Sequence, residues 1–300
     1  MSKVSDKKFG LQSLLVKIVV VSLCIAFMIL AFTDVEGFLT NARNGLYLFG
    51  TSILPVLFPF FFISGLLIEL DLFKRKSMQR IGVVVMSFLS GYPTGARMLS
   101  QLYQRGEISR SDAIKMATYT STCSPIFIIA TLGAALYQNV QLGVIIFMAH
   151  IFGALATGAV FAMRSVVSDT RSQNFKETPN TGICDITGAV SNALYSAIQN
   201  ILAVGGLIIV FFIASAGLPW GVAGIIEMTT GVFRAERIVG GIWRIIIPCA
   251  IVSFGGLCVS MQGFVFLKAF KMPVWFYFAY KITHTIFAVI ICALIYLFLV

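Results

Sequence analysis

The chain has 300 residues, of which 58% are hydrophobic and 11% charged, with a mean hydropathy of +0.94. Soluble domains carry about 25% charged residues, so this composition excludes a soluble globular protein and implies a bundle of roughly 20-residue membrane spans. The net charge of +10 does not mark a nucleic-acid binder, because the basic residues sit between apolar runs and not on one patch; there they set orientation by the positive-inside rule.

In chain order, the basic stretch MSKVSDKKFG leads into an apolar run at 14–33. The run is long and no A-x-A site follows it, so a retained first helix is expected, not a cleaved signal peptide. Further spans are expected at 45–70, 116–138, 142–163, 188–217 and 274–299. Two more segments are long but interrupted: 81–104 by Gly91–Gly95, and 238–270 by SFGGLCVSMQG, Ser253 to Gly263. The polar, turn-rich stretch 164–187 reads as a cytoplasmic linker. Six cysteines form no CxxC, and most lie inside apolar runs, which suits small packing residues.

Charge placement orients these elements. Lys3, Lys7, Lys8 and Lys17 put residue 1 in the cytoplasm, and Lys74, Arg75, Lys76 and Arg80 follow two spans later. Arg105, Arg110 and Lys115 stay on that side only if 81–104 enters and returns as a re-entrant hairpin. A second hairpin at 238–270 then enters from outside, leaving Lys268 and Lys271 there at some cost to the rule, and 274–299 returns the chain to a cytoplasmic end. The expected fold is an all-α polytopic membrane protein: about six transmembrane helices plus two opposed re-entrant hairpins. Residues 1–165 and 188–300 form an inverted repeat. Three ordered echoes support the repeat: NGLYLF with NALYSA, LIELDLFKR with IIEMTTGVFRAER, and SFLSG with SFGG. Inverted repeats with broken helices near the midplane are characteristic of secondary transporters.

The interruptions supply the candidate site. Backbone that is not helical at membrane depth survives only when packed in protein or lining a watery cavity. Gly91, Tyr92, Pro93, Thr94 and Gly95 either aim free N–H groups of the next helix at a polar ligand or form a plain sharp turn between packed helices. Ser121, Thr122 and Ser124 precede Pro125, which frees a carbonyl one turn back. Their hydroxyls coordinate a cation or solute, or bond back to their own helix. Glu227, flanked by Thr229 and Thr230, is a carboxylate among apolar residues. Such a group faces a cavity or carries protons, or else it lies at the outer interface paired with Arg234 or Arg237. Gln262, after the second break, is a further ligand candidate. Asn192, Gln199 and Asn200 are softer ones; His150 and His284 read as satisfied packing histidines, or, for His284 beside Thr283 and Thr285, as a proton relay. No Ser/His/Asp grouping, P-loop, HExxH or metal-spaced set occurs, so neither an enzyme nor, without a Walker motif, an ATP-driven pump is expected, and no cofactor or metal.

The stretch GYPTGARMLSQLYQRGEIS followed by SPIFIIATLG resembles the YlbJ-type sporulation integral membrane proteins. These fall in the nucleoside-recognition or Gate domain group, which is related to concentrative nucleoside transporters. IIEMTTG and FGGLCVSMQ fall where that group has an acidic re-entrant element and a Gly-Gly loop. Thr120–Ser124 stands where the group is Asn-rich, and Ser260 where it has a histidine. The resemblance implies a multi-pass cell-membrane permease for a small polar, nucleoside-like solute, coupled to Na⁺ or H⁺ and acting in spore formation. Its partners would be the lipid bilayer, the solute, and a second copy or another membrane protein. The alternative is a non-transporting assembly partner in a sporulation complex, for which the linker and not the breaks would matter.

Overall fold

The computed structural model describes residues 34–70, 72, 76–162, 186–237 and 240–299, with parts of 17–33. The basic residues Lys3, Lys7, Lys8, Lys74 and Arg75, and the linker over 164–185, lie outside the described residues. All regular structure among the described residues is helical. Five stretches are long and apolar enough to cross a membrane: Val35–Glu69, Val140–Ala162, Ile186–Ala214, Trp243–Phe270 and Val274–Phe298.

The helices are α1 (Cys24–Thr33), α2 (Val35–Leu48), α3 (Leu54–Glu69), α4 (Lys76–Ser90), α5 (Thr94–Gln104), α6 (Arg110–Thr120), α7 (Val140–Ala162), α8 (Ile186–Ala214), α9 (Trp220–Ile226), α10 (Met228–Glu236), α11 (Trp243–Phe254), α12 (Gly256–Leu267) and α13 (Val274–Leu299). A wide π-helical turn at Phe49–Ile53 joins α2 to α3 just before Pro55, whose missing N–H cannot continue the regular bond pattern. A second π-helical segment, Ile126–Leu136, follows Pro125. Asp34 caps α2 by accepting from Gly37 N at 2.9 Å, and Ser109 caps α6 by accepting from Asp112 N at 3.0 Å.

Contacts fix which end of the bundle each element reaches. Helix α3 finishes where Arg105 donates to Ile68 O (2.9 Å) and pairs with Glu69. Helix α4 starts at that same end, with Gln79 donating to Glu107 (2.9 Å) and Arg80 to Asp112 (3.3 Å). Helix α5 finishes there too, so 76–104 is a helical hairpin with its tip at Gly91–Pro93. Its arms of 15 and 11 residues are about 22 and 16 Å long at 1.5 Å per residue, each short of a hydrocarbon core of about 30 Å. Helix α6 leaves from the Arg105 end, where Arg110 donates to the carbonyls of Phe270 and Lys271, each at 2.9 Å. Past a break at Ser121–Ser124, the chain reaches the opposite end at Tyr137, under the Arg244 guanidinium (5.4 Å). Helix α7 runs back to put Phe161 on Phe276, ring centroids 5.2 Å apart.

The second half starts at the Arg105 end with α8 beside α3 and finishes near Arg244. Helices α9 and α10 then form a short hairpin whose arms touch at Gly224 and Gly231, where a Cβ on Gly231 would overlap the Gly224 Cα. Both ends of this hairpin lie near Arg244: Arg234 donates to Leu218 O, and Glu236 faces Arg244 at 3.9 Å. Helix α11 starts there and runs antiparallel to α13. Cys249 Sγ meets Ala288 O at 3.6 Å; further on, the ring of Phe264 of α12 lies tilted against Tyr277 with centroids 4.6 Å apart, and Leu267 joins the cluster around Phe276.

This progression corrects the expectation of a hairpin at 238–270. The segment passes from the Arg244 end to the Arg105 end, broken but not reversed at Gly255 (φ +82°) and Gly256 (φ +72°). The hairpin of the second half is Trp220–Glu236. Lys268 and Lys271 therefore lie at the Arg105 end, beside Arg110, and their cost to the positive-inside rule disappears. The expectation for the last span changes as well. Tyr296 packs near Ile245, at the Arg244 end, so α13 finishes away from the end that carries Arg105.

Candidate functional site

Glu227 sits between α9 and α10 in an extended conformation (φ −139°, ψ 117°) and is 4% exposed. Its Oε1 accepts from Thr229 N at 3.0 Å, and its Oε2 from Thr230 N at 2.7 Å and Thr230 Oγ1 at 2.9 Å. The carboxylate thus caps α10, where free N–H groups and the helix dipole favour negative charge. Arg234 is not its partner; that guanidinium donates to Leu218 O.

Glu227 also lines a cavity of about 90 Å³. Its polar wall carries Ser90 and Tyr92 from the first hairpin, Ser124 from the α6 break, Thr229 from α10, and Gln262 from α12. Ile53, Leu57, Phe127 and Ile208 contribute apolar wall. Elements from both halves of the chain therefore meet at one partly polar space. With about 10–15 Å³ of such volume enough for one water, it has room for several waters in this conformation.

The other expected site residues fall around this cavity with different contacts. Gly91 (φ +78°) and Gly95 pack too tightly for any side chain: a Cβ on the first would overlap Ser124 N, and on the second Thr120 O. Thr94 is fully buried, and its Oγ1 has no hydrogen-bond partner. Pro93 and Ser121 line a separate void of about 10 Å³ next to Tyr280, room for one water at most. Thr122 donates to Ser87 O at 3.3 Å, joining the break to the hairpin. Ser124 accepts from Phe127 N at 3.2 Å, capping the π-helical segment. Thr230 turns toward α8, accepting from Ser215 Oγ at 3.2 Å, and Gln262 donates to Cys258 Sγ at 3.3 Å. Among the softer candidates, Asn200 donates to Ser196 Oγ at 3.2 Å.

Both histidines are packed and hydrogen-bonded. His150 Nε2 accepts from Cys123 N at 2.9 Å, which puts its proton on Nδ1, 2.9 Å from Ser253 Oγ. His284 Nε2 lies 2.9 Å from His150 O, and the two rings are 4.7 Å apart.

Two buried cations were not among the expected site residues. Arg97, 1% exposed, donates to Phe61 O (2.6 Å), Ser64 Oγ (2.9 Å) and Ser196 Oγ (3.2 Å), holding α5 against α3 and α8. Lys281, on α13 and fully buried, donates to Tyr92 Oη at 2.8 Å, with its ammonium 4.6 Å from the centre of the Tyr92 ring. The signal that singled out Glu227, a charge inside an apolar run, was equally present for Lys281 in FAYKITHTIF.

No family model and no solved structure matches the chain. It is 29% identical, over 199 residues, to the sporulation integral membrane protein YlbJ of Bacillus subtilis (strain 168). The match covers 57% of this chain and 49% of that protein, so the chain spans about half the length of the curated relative. Five apolar helices of membrane-crossing length together with this match support a multi-pass membrane protein related to that sporulation integral membrane protein.

Proposed function

We propose that the chain is a secondary-transporter-like permease for a small polar solute, driven by Na⁺ or H⁺. The observation that carries this reading is the shared cavity. The tips of the 76–104 and 220–236 hairpins, the Ser121–Ser124 break and the start of α12 all contribute to its wall. Breaking helices at membrane depth is tolerated where the freed groups line a protein or water cavity, and transporters place such breaks where an internal repeat meets. The order of elements supports such a repeat. A crossing helix, a hairpin, a broken crossing helix and a crossing helix occur at α2–α7 and again at α8–α13, entered from opposite ends. In this reading both hairpins are re-entrant, and the halves are related by a half-turn in the membrane plane.

A nucleoside-like solute follows from the resemblance alone. A cavity of about 90 Å³ is well below the roughly 300–1,000 Å³ of sites for drug-sized ligands, so such a solute requires the hairpin tips to part. The relative's name ties that protein to sporulation, and a role in spore formation is proposed for this chain on that basis.

The test is uptake into proteoliposomes of a panel of labelled small polar solutes, uridine included, under Na⁺ and pH gradients. Gradient-driven uptake of at least one solute is expected in the wild type. In Glu227→Gln it is lost or becomes independent of the ion, while the variant stays folded. Ion-dependent uptake unchanged by that substitution removes Glu227 from coupling. A wild type with no uptake of any solute, alongside spore formation that depends on the 164–187 linker and not on Glu227, favours the assembly partner.

A further inference from the structure

We infer that Lys281 and Tyr92 form a proton-binding switch at the tip of the first hairpin, making H⁺ rather than Na⁺ the coupling ion. The inference rests on the permease reading for the word coupling, but the switch itself stands on local geometry. Lys281 lies within α13 and has no exposed surface. Among the described residues no carboxylate pairs with it. An ammonium has three N–H donors, and the structure gives this one a single oxygen acceptor, Tyr92 Oη, plus the face of the same ring. The titratable groups facing the pair are Cys123 at the α6 break, His150 on α7, and Tyr277, Tyr280 and His284 on α13; none supplies a negative charge as an ordinary neighbour.

Tyr92 connects this amine to the cavity, because its side chain lines the space that Glu227 also lines. Its hydroxyl has two neighbours: Lys281 Nζ at 2.8 Å and Val252 O, on α11, at 3.3 Å. These allow two arrangements with the same heavy-atom positions. With a charged Lys281, Nζ donates to Oη and the Tyr92 O–H turns to Val252 O. A neutral amine carries a lone pair, so the Tyr92 O–H gains Nζ as a second acceptor, in competition with Val252 O. Lys281 itself does not line the cavity, so the protonation step runs through the hydroxyl: a hydronium ion gives a proton to Oη as the O–H proton passes to the Nζ lone pair, leaving water, a tyrosine hydroxyl and an ammonium. Charge at Lys281 therefore holds the hairpin tip bonded to α11, and its loss weakens that bond. A bond stronger in one protonation state than in the other is the differential contact that lets a proton shift a conformational equilibrium.

The experiment uses the full chain in nanodiscs, with lysine side-chain nitrogens labelled with ¹⁵N and followed by NMR from about pH 5 to about pH 9. One resonance, absent in Lys281→Met, is expected to pass from ammonium to amine within that window. Lys281→Arg serves for the assignment if the Met variant does not fold. Tyr92→Phe removes the hydroxyl and is expected to move the midpoint by about one unit, a tenfold change in proton affinity. A Lys281 nitrogen that keeps one charge state throughout, or a midpoint indifferent to Tyr92→Phe, overturns the switch. The coupling arm is separate: solute uptake that still follows a pH gradient in Lys281→Met overturns the assignment of H⁺ coupling to Lys281 but leaves the permease standing. The expected titration in a protein that takes up no solute sinks the permease and leaves the switch.

Discussion

Gly91–Pro93 and Gly255–Gly256 both interrupt long apolar runs with left-handed glycines, yet one reverses the chain and the other does not. At the first, α4 ends on Ser90 and α5 starts at Thr94, so three residues make the reversal, with Pro93 directly before the new helix. At the second, Gly255 N still bonds to Ile251 O at 2.8 Å and α12 starts at the next residue. Two left-handed residues with no intervening loop displace the helix axis without turning it round. Glycine supplies the positive φ in both places. What sets the direction is where the following helix finds cover. Helix α5 buries Arg97, Met98 and Leu102 by running back beside α3, whereas α12 buries Phe266 and Leu267 only by continuing on toward Phe276.

The sharpest way to break this comparison is side-specific labelling, where the expected effect is all or none. Single cysteines at Arg105 and Lys268 should react with an impermeant thiol reagent from one face of sealed vesicles, and a cysteine at Arg244 from the other. If 238–270 reversed like 76–104, Lys268 and Arg244 would react from the same face.

The next effect concerns the cost of a side chain at each break. Alanine with left-handed φ costs about 1–2 kcal/mol. At Gly256 the new Cβ would meet the carbonyl oxygens of Gly224, Ile225 and Ile226 at 3.2–3.3 Å, a tight fit that small shifts relieve. At Gly91 it would overlap the Ser124 backbone, which is itself held by the break. Gly256→Ala should therefore cost about 1–2 kcal/mol and Gly91→Ala more than about 2 kcal/mol, read as midpoints of thermal unfolding in detergent. Equal losses would mean that the hairpin tip is no more constrained than the broken crossing helix.

Much of the architecture was legible in the sequence because hydrophobic run length and basic-residue placement act through the membrane itself. The rule applied to Arg105, Arg110 and Lys115 gave a first hairpin whose two ends do lie together. The same rule flagged an error in the second half: Lys268 and Lys271 were left on the wrong side, and a crossing at 238–270 removes that conflict. The true second hairpin was hidden because α9 has 7 residues and α10 has 9, too few for a hydropathy window. Its pairing depends on the close approach of Gly224 and Gly231, a tertiary feature. In the site, Glu227 stood out as an isolated charge. Its capping of Thr229 and Thr230 was local enough to read, but its meeting with Tyr92 and Gln262 was not. Thr122 meets Ser87 O, Thr230 meets Ser215 Oγ, and Gly91 and Gly95 pack against the Ser124 and Thr120 backbone; these are tertiary contacts that residue type alone does not carry.

The smallest expected effect separates the polar anchors of the hairpins. The first hairpin is tied down at its open end by Arg105, which donates to the carbonyl of Ile68 at the end of α3. The second is tied by Arg234, which donates to the carbonyl of Leu218 just after α8. At Ile68 the guanidinium satisfies a carbonyl in the last turn of α3, where intrahelical donors have run out; at Leu218 it satisfies a carbonyl of the turn between α8 and α9. Removing such a donor leaves a partly buried carbonyl unpaired, a loss of about 1–2 kcal/mol. Arg105→Gln and Arg234→Gln should thus cost similar amounts in thermal unfolding. Arg80, by contrast, reaches Asp112 at 3.3 Å with the two side chains 57% and 37% exposed. An exposed pair of that kind contributes about 0–1 kcal/mol and weakens with added salt. Arg80→Gln should therefore sit at the bottom of the series, with a loss that disappears at high ionic strength, whereas the Arg105 and Arg234 losses should persist there. If the Arg105 loss vanished with salt as well, its pairing with Glu69, and not the Ile68 carbonyl, would be what holds the hairpin, and the likeness between the two hairpins would fail at this point.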